Sequence, residues 1–363
     1  MPIALSTQRA LRLVALLAFG LSPALHAEAP PDEAETSPTG HYRLPENGDV
    51  IGRIQTVTAR QQDTLIAIGH RFGVGYEEMH RANPELNMWL PGAGSEVVVP
   101  TRFVLPPGPR EGIVVNVAEM RLYYYPPARQ GEPRQVETYP ISVGRMDWKT
   151  PLGTTRVIDK IENPYWYPPD SIIREHAENG DPLPKAVPPG PDNPLGAFKM
   201  RLGIPGYLIH GTNKPEGVGM RVTHGCIRML PEDIAQFFPR VPEGTPVRLI
   251  NDILKLGWSD GVLYIQSYPG LEETRETPIQ RVTEALDAVS TAVRDRTYPV
   301  DYKALRREVE APSGMPVALR FVADSPAPDR LAGSDSLYGQ VYQIAGPYWW
   351  DEMQKALPEA GPS

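Results

Sequence analysis

Apolar and polar positions fall along this chain in blocks whose period changes from strand-like to helix-like and back. Leu65, Ile68 and Phe72 recur at helical spacing behind Asp63, a residue suited to capping a helix, and Gly73 is placed to end it. Tyr76, Met79 and Ala82 repeat the pattern for a second short helix, and Asn83-Pro84 signals a turn. A β-prone run around Val57 precedes the pair and Glu96-Val97-Val98-Val99-Pro100 follows it. Residues 52–104 are therefore expected as a small strand, helix, helix, strand unit. From Glu111 to Ile250 β-prone residues take over, at Gly112–Val117, Arg121–Tyr125, Tyr139–Gly144, Thr154–Ile158, Tyr207–Ile209 and Pro246–Ile250. A helical stripe returns with Ile279, Val282, Leu286, Val289 and Val293, behind the capping-box sequence Thr277-Pro278-Ile279-Gln280, and a strand-like Gly261–Ile265 precedes it. The expected fold is multi-domain and mainly β, with a small α/β region over 255–363. The tail beyond Ser325, rich in Pro, Gly and Ser, is expected to be partly disordered, with Tyr348-Trp349-Trp350 able to dock locally.

The first residues follow a different rule. Arg9 and Arg12 precede the apolar run Leu13–Leu21, and Pro23 and the small residue Ala27 follow, which is the layout of a cleaved secretory signal over residues 1–27. The run is too short to span a bilayer, which takes roughly 20 apolar residues, so no membrane anchor is expected after cleavage. Residues 28–51 are expected as a linker. The 363 residues exceed one ordinary core, and the 42 prolines mark boundaries at 105–109 and from Asn163 to Pro194. Loss of Arg9 and Arg12 takes the net charge from −8 to −10, an acidic balance that argues against nucleic acid or anionic membranes as partners. One cysteine permits no internal disulfide.

That cysteine, Cys226, lies in Ile209-His210-Gly211-Thr212 … Thr223-His224-Gly225-Cys226-Ile227-Arg228-Met229. A thiol beside imidazoles and a fixed cation has the surroundings of a nucleophile, because a neighbouring base or positive charge favours the thiolate. Two other readings stand beside it: an inert core thiol, and a zinc site using His210, His224 and Cys226, although neither CxxC nor HExxH is present. His210 falls at a strand end, and the 16 positions to Cys226 hold Pro215 and the glycines Gly211, Gly217 and Gly219 besides Gly225, so a loop must bring the chain back.

Two resemblances sharpen these expectations. DTLIAIGHRFGVGYEEMHRANPEL followed by GSEVVVP resembles the LysM module, which binds the glycan of peptidoglycan or chitin, with Gln62 where that module usually has Gly. The run from Asn193-Pro194-Leu195-Gly196 through Ile209–Thr212 to Thr223–Met229 resembles the YkuD-type L,D-transpeptidases of bacterial cell walls, with Thr223 in place of the usual Ser. The order of regions is similar to the periplasmic, Gram-negative branch. The resemblance implies a β-rich, sandwich-like catalytic domain over 111–250 and no cofactor or metal. It implies Cys226 as the nucleophile on the third-residue carbonyl of a tetrapeptide stem, usually diaminopimelate, with release of D-Ala. His210 would be the general base, His224 would position the thiol, and backbone N–H groups around Gly225 and Cys226 would form the oxyanion hole. Arg228, Thr223 and Gly211 would contact substrate. The acyl acceptor would be a second diaminopimelate amine or the C-terminal lysine of an outer-membrane lipoprotein; water as acceptor would give an L,D-carboxypeptidase. A metal-dependent wall hydrolase and a non-catalytic wall-binding protein are the alternatives. The insertion 163–194 with Tyr165-Trp166-Tyr167 is placed to act as a lid or as an ordinary surface excursion.

Overall fold

The computed structural model describes residues 39–145, 149–270 and 277–321. The signal-like segment, the first part of the expected linker and the tail with Tyr348-Trp349-Trp350 lie outside the described residues.

Three short strands open the described chain: β1 (His41–Arg43), β2 (Val50–Gly52) and β3 (Gln55–Thr58). Two helices and a strand follow, α1 (Leu65–Arg71), α2 (Tyr76–Ala82) and β4 (Glu96–Val99). β3 and β4 pair antiparallel, and Leu65, Ile68, Val74, Met79, Val97 and Val99 close a small core between strands and helices. One detail departs from the sequence expectation. Thr64, not Asp63, caps α1, its hydroxyl accepting from the Ala67 N–H at 2.9 Å. Asp63 instead accepts from the Arg60 N–H and from Arg71, which hold its carboxyl below the usual range. A second departure concerns the expected linker: β1 adds to the central sheet at Glu137 and Val136, and β2 pairs with β5 (Arg102–Val104). Tyr42 and Ile51 join a buried cluster with Phe103, Val114 and Tyr123, so this stretch is held by apolar contacts that a Pro- and Gly-dotted sequence did not announce.

The central region is built from β6 (Gly112–Asn116), β7 (Arg121–Tyr125), β8 (Gln135–Gly144) and β9 (Gly153–Glu162). It continues through α3 (Asp170–Glu178), β10 (Phe198–Leu202), β11 (Leu208–His210), β12 (Arg221–Thr223), β13 (Ile227–Met229), α4 (Pro231–Phe237) and β14 (Pro246–Ile250). The sandwich-like expectation is corrected to a ring. Strand order β8-β13-β11-β10-β9-β14-β6-β7 closes because β7 also pairs with β8. Closure follows from two ten-residue strands, each shared between two half-sheets. β8 pairs with β7 through its first part and with β13 through Ile141 and Ser142, while β9 pairs with β14 and then with β10. Alternation sends Ile113, Val115, Leu122, Ile141, Val143, Ile209, Ile227 and Met229 inward, where they form the main core. α4, with Ile234 and Phe237 buried, packs on that same core.

Beyond it, β15 (Leu254–Ser259), β16 (Val262–Ser267) and β17 (Val317–Ala318) form a three-stranded antiparallel sheet. It is covered by α5 (Pro278–Val293) and α6 (Tyr302–Glu310). The capping box at Thr277 and Gln280 is present, and Val282, Ala285 and Val289 are the buried stripe of α5. No helix among the described residues is long and apolar enough to cross a membrane.

Candidate active site

β11 and β13 run parallel and adjacent, with Ile209 beside Ile227 and His210 beside Arg228. Ile209, Ile227 and Met229 point into the core. Period-two alternation therefore turns His210, Arg228 and Cys226 to the outer face of the same two strands. Cys226 precedes β13 by one residue, so it stands diagonally across from His210, a relation of roughly 7–8 Å between backbones that side chains can bridge.

His210 is buried, and its Nδ1 faces the Gly211 carbonyl at 2.6 Å. A carbonyl only accepts, so Nδ1 carries the proton and Nε2 keeps its lone pair. Burial, reinforced by the Arg228 charge, pushes the His210 pKa down to about 3, against the opposing pull of the Gly211 contact. The imidazole is thus neutral and oriented at neutral pH. Cys226 is half-buried, and its thiol donates to the Gly206 carbonyl at 3.7 Å. Burial pushes its pKa above the ordinary 9.0, while the Leu208 N–H and the Arg228 charge pull the other way. The resting pair is a thiol and a neutral imidazole.

The turn that carries the thiol is fixed from within. The Thr223 hydroxyl donates to the Cys226 carbonyl at 2.6 Å and accepts from the Gly225 N–H at 3.2 Å. Gly225 sits at φ +98°, a conformation that disfavours any side chain, and its carbonyl accepts from the Thr150 hydroxyl at 2.9 Å. Thr150 also accepts from the Gly144 N–H at 3.0 Å, which ties the turn to the end of β8. Thr223 is buried and its hydroxyl is engaged inside the turn, whereas Gly211 supplies the carbonyl that orients His210.

His224 Nε2 meets Glu175 Oε2 at 2.8 Å. Glu175 belongs to α3, in the middle of the 163–194 insertion, and its other oxygen pairs with Arg145. Arg145, followed by His224, holds the Glu175 carboxyl below its usual range. The neck of the insertion is closed by Asn193, fully buried, whose amide donates to the Pro164 and Pro188 carbonyls at 2.8 and 3.1 Å. Its side-chain oxygen accepts from the Leu195 N–H at 2.9 Å. Gly196 then lies against the Gly211–Thr212 backbone, where an added Cβ would come within 2.8 Å of the Thr212 nitrogen.

Arg228 shares one feature with Arg81, Arg145 and Arg248. Among the described residues its Nε is buried with no hydrogen-bond partner. Burial pulls its pKa down, opposed by Cys226 and Glu216. A half-buried guanidinium with an unsatisfied Nε favours an anionic ligand. His210 and His224 each face a separate partner, and among the described residues no group of three or more His, Cys, Asp or Glu side chains is arranged to hold a metal ion. Sequence reasoning singled out the two His, Cys226 and Arg228. It missed Glu175, Arg145 and Thr150, because nothing in a Pro-rich insertion or a short loop signals which residue returns to a distant turn.

The arrangement has relatives. The family model for the YkuD L,D-transpeptidase catalytic domain matches residues 110–249. The probable L,D-transpeptidase YcfS of Escherichia coli K12 is 38% identical over 268 residues, covering 72% of this chain and 82% of its own. The probable L,D-transpeptidase ErfK/SrfK of the same organism is 38% identical over 298 residues, with 79% and 93% covered. The probable L,D-transpeptidase YbiS of that organism is 36% identical over 284 residues, with 77% and 91% covered. With that identity extending over most of both chains, and the matched domain enclosing the thiol and both imidazoles, the chain belongs to the L,D-transpeptidase family.

Proposed function

We propose that the protein is an exported, periplasmic peptidoglycan L,D-transpeptidase in which Cys226 attacks the carbonyl of the third residue of a tetrapeptide stem. The observation that carries this reading is the outer face shared by β11 and β13, where thiol, oriented imidazole and a half-buried guanidinium with an unpartnered Nε stand together. A stem carboxylate on Arg228 anchors the donor. It also offsets the charge that opposes protonation of His210, so the base strengthens as substrate binds. The thiol then leaves Gly206 for His210 Nε2. Proton transfer accompanies C–S bond formation, and the Cys226 backbone N–H receives the oxyanion, since the Gly225 N–H that the sequence also offered is engaged by the Thr223 hydroxyl. His210 returns the proton to the departing D-Ala amine, leaving a thioester on Cys226. An amine acceptor resolves the thioester and frees the thiol. His224 holds the thiol turn through Glu175, and the insertion lies over the site as a lid that disfavours water as acceptor.

The strand-helix-helix-strand unit is the part suited to glycan, and its exposed Trp89 and Leu90 offer stacking surface. The acceptor is an amine of a second diaminopimelate or the terminal lysine of a lipoprotein. Mass spectrometry of the mature protein with disaccharide-tetrapeptides and a lysine-terminated lipoprotein peptide tests the whole reading. A stem-to-peptide adduct or a tetrapeptide–tripeptide dimer identifies the acceptor, and free tripeptide alone identifies a carboxypeptidase. Cys226→Ala is expected to lose both acyl-enzyme and product; turnover in that variant would overturn the assignment.

A further inference from the structure

The segment between His210 and Cys226 is held at its midpoint by a part of the chain far from it in sequence. At the start of α2, the Tyr76 N–H donates to the Val218 carbonyl at 3.1 Å and the Glu77 N–H to the Gly219 carbonyl at 3.3 Å. The two backbones touch: a Cβ on Gly75 would lie 2.8 Å from Gly219 Cα, and a Cβ on Gly219 would lie 2.3 Å from the Tyr76 nitrogen. Glu78 fixes this end of the helix from the other side. Its Oε2 accepts from the Gly75 N–H at 2.8 Å, and both its oxygens pair with Arg121 of β7 at 2.7 and 2.6 Å. Arg121 is fully buried and also donates to the Gly73 carbonyl at 2.9 Å, so the helix start is fastened to the ring as well as to the loop.

From Val218 and Gly219 the restraint reaches the reacting groups in a few steps. The neighbouring Gly217 carbonyl accepts from Ser142 at 2.7 Å, and a Cβ on Gly217 would stand 3.9 Å from an Arg228 nitrogen. On the other side, the Met220 carbonyl accepts from the Val143 N–H at 3.3 Å, and β12 leads directly to Thr223 and the thiol turn. Both ends of the loop carry chemistry, and its centre is held by α2.

We infer that the strand-helix-helix-strand unit is a working part of the catalytic loop, with Gly75 and the Tyr76 amide as positioning groups that set Arg228 and Cys226 through Val218 and Gly219. This rests on the reading of Cys226 as the nucleophile. A unit serving only as a tether would need a covalent connection and no backbone contact with the loop.

Gly75→Ala tests it, because Gly75 has φ −84°, which any residue adopts, so the new strain is steric and greatest against Gly219 Cα at 2.8 Å, with Pro140 Cβ next at 3.2 Å. A second variant, Tyr76→Pro, removes the amide that holds Val218 at a first-turn position where proline suits a helix. Each is assayed as the full mature chain, by thermal melting, by D-Ala release from disaccharide-tetrapeptide, and by the rate of Cys226 alkylation with iodoacetamide. The expected result is a folded protein whose kcat falls about tenfold with KM within about twofold, and whose alkylation rate shifts by at least about fivefold, as sub-ångström misplacement of a reacting group produces. Folded variants with wild-type kcat and alkylation would overturn the inference. So would loss of folding in both, which would make the contact a stability element only. If the wild-type protein releases no D-Ala, the proposed function fails while the alkylation comparison still decides whether α2 positions the thiol.

Discussion

Burial moves the two reactive groups away from the charged states that catalysis passes through, and this gives them opposite signatures in pH experiments. His210 titrates at about 3 in the folded chain and near 6.5 when unfolded. The unfolded chain therefore binds a proton that the folded chain refuses, and stability falls as pH drops through that window. His41, lowered to about 4 by burial and then by Arg240, adds to the slope, whereas Asp233, raised to about 7 by burial and then by Glu232, works against it. His210→Gln isolates one contribution: its melting temperature is expected to fall less between pH 6.5 and 4 than that of wild type, and parallel curves would refute the burial argument. Cys226 gives the other signature. Alkylation of the resting enzyme should have its midpoint above pH 9.0, and Arg228→Leu, which removes a charge holding the thiol down, should move that profile to higher pH. At this scale the sequence was legible where chemistry is dense. Cys226, both imidazoles and Arg228 sit within 19 residues of one another, and rare residue types in close order are visible without a structure. The engagement of the Thr223 hydroxyl inside the turn was not, because it depends on backbone directions that no spacing encodes.

Among the elements, those announced by periodicity are the ones that bury a stripe. α1, α2 and α5 each place apolar residues at helical intervals against a core, so the pattern that reveals them is the pattern that stabilises them. α3 buries only Ile172 and starts after Pro169 in a segment whose composition reads as loop, so it had no such mark. Its purpose is in its polar face, where Glu175 bridges Arg145 and His224. Glu175→Ala should leave the ring folded while loosening the insertion. Hydrogen exchange over residues 163–194 is expected to speed up and, if the insertion acts as the proposed lid, the ratio of hydrolysis to aminolysis of the thioester to rise about threefold or more. Unchanged exchange and an unchanged product ratio would refute the lid role. The ring closure was equally hidden. β10 and β13 carried no strand signal of their own, and for the strands that did, which neighbours a ten-residue strand shares is a matter of register across more than a hundred positions.

Across the whole molecule, the three regions are joined by buried charge rather than by apolar contact alone. Lys255 and Glu119, both fully buried, meet at 2.8 Å where the first strand of the C-terminal sheet crosses the β6–β7 turn, with the Tyr268 hydroxyl donating to the same carboxylate at 2.8 Å. Glu78 and Arg121 do the corresponding work between α2 and β7. A buried ion pair adds little compared with well-packed apolar residues, yet removing one partner strands the other in a low-dielectric site. Glu78→Gln should therefore cost about 3–5 kcal/mol, lowering the melting temperature by about 10 °C. The loss should appear in a single transition, because Arg121 belongs to the ring and Glu78 to the helix that grips the catalytic loop. Replacing both partners by apolar residues, Glu78→Leu with Arg121→Met, should recover most of the lost stability. It would leave the Gly75 amide without its Glu78 acceptor, so stability and D-Ala release are expected to separate in the double variant. Calorimetry that resolved an early transition for residues 52–104 in wild type, or a double variant as unstable as the single one, would show that the pair does not join the regions as the geometry indicates.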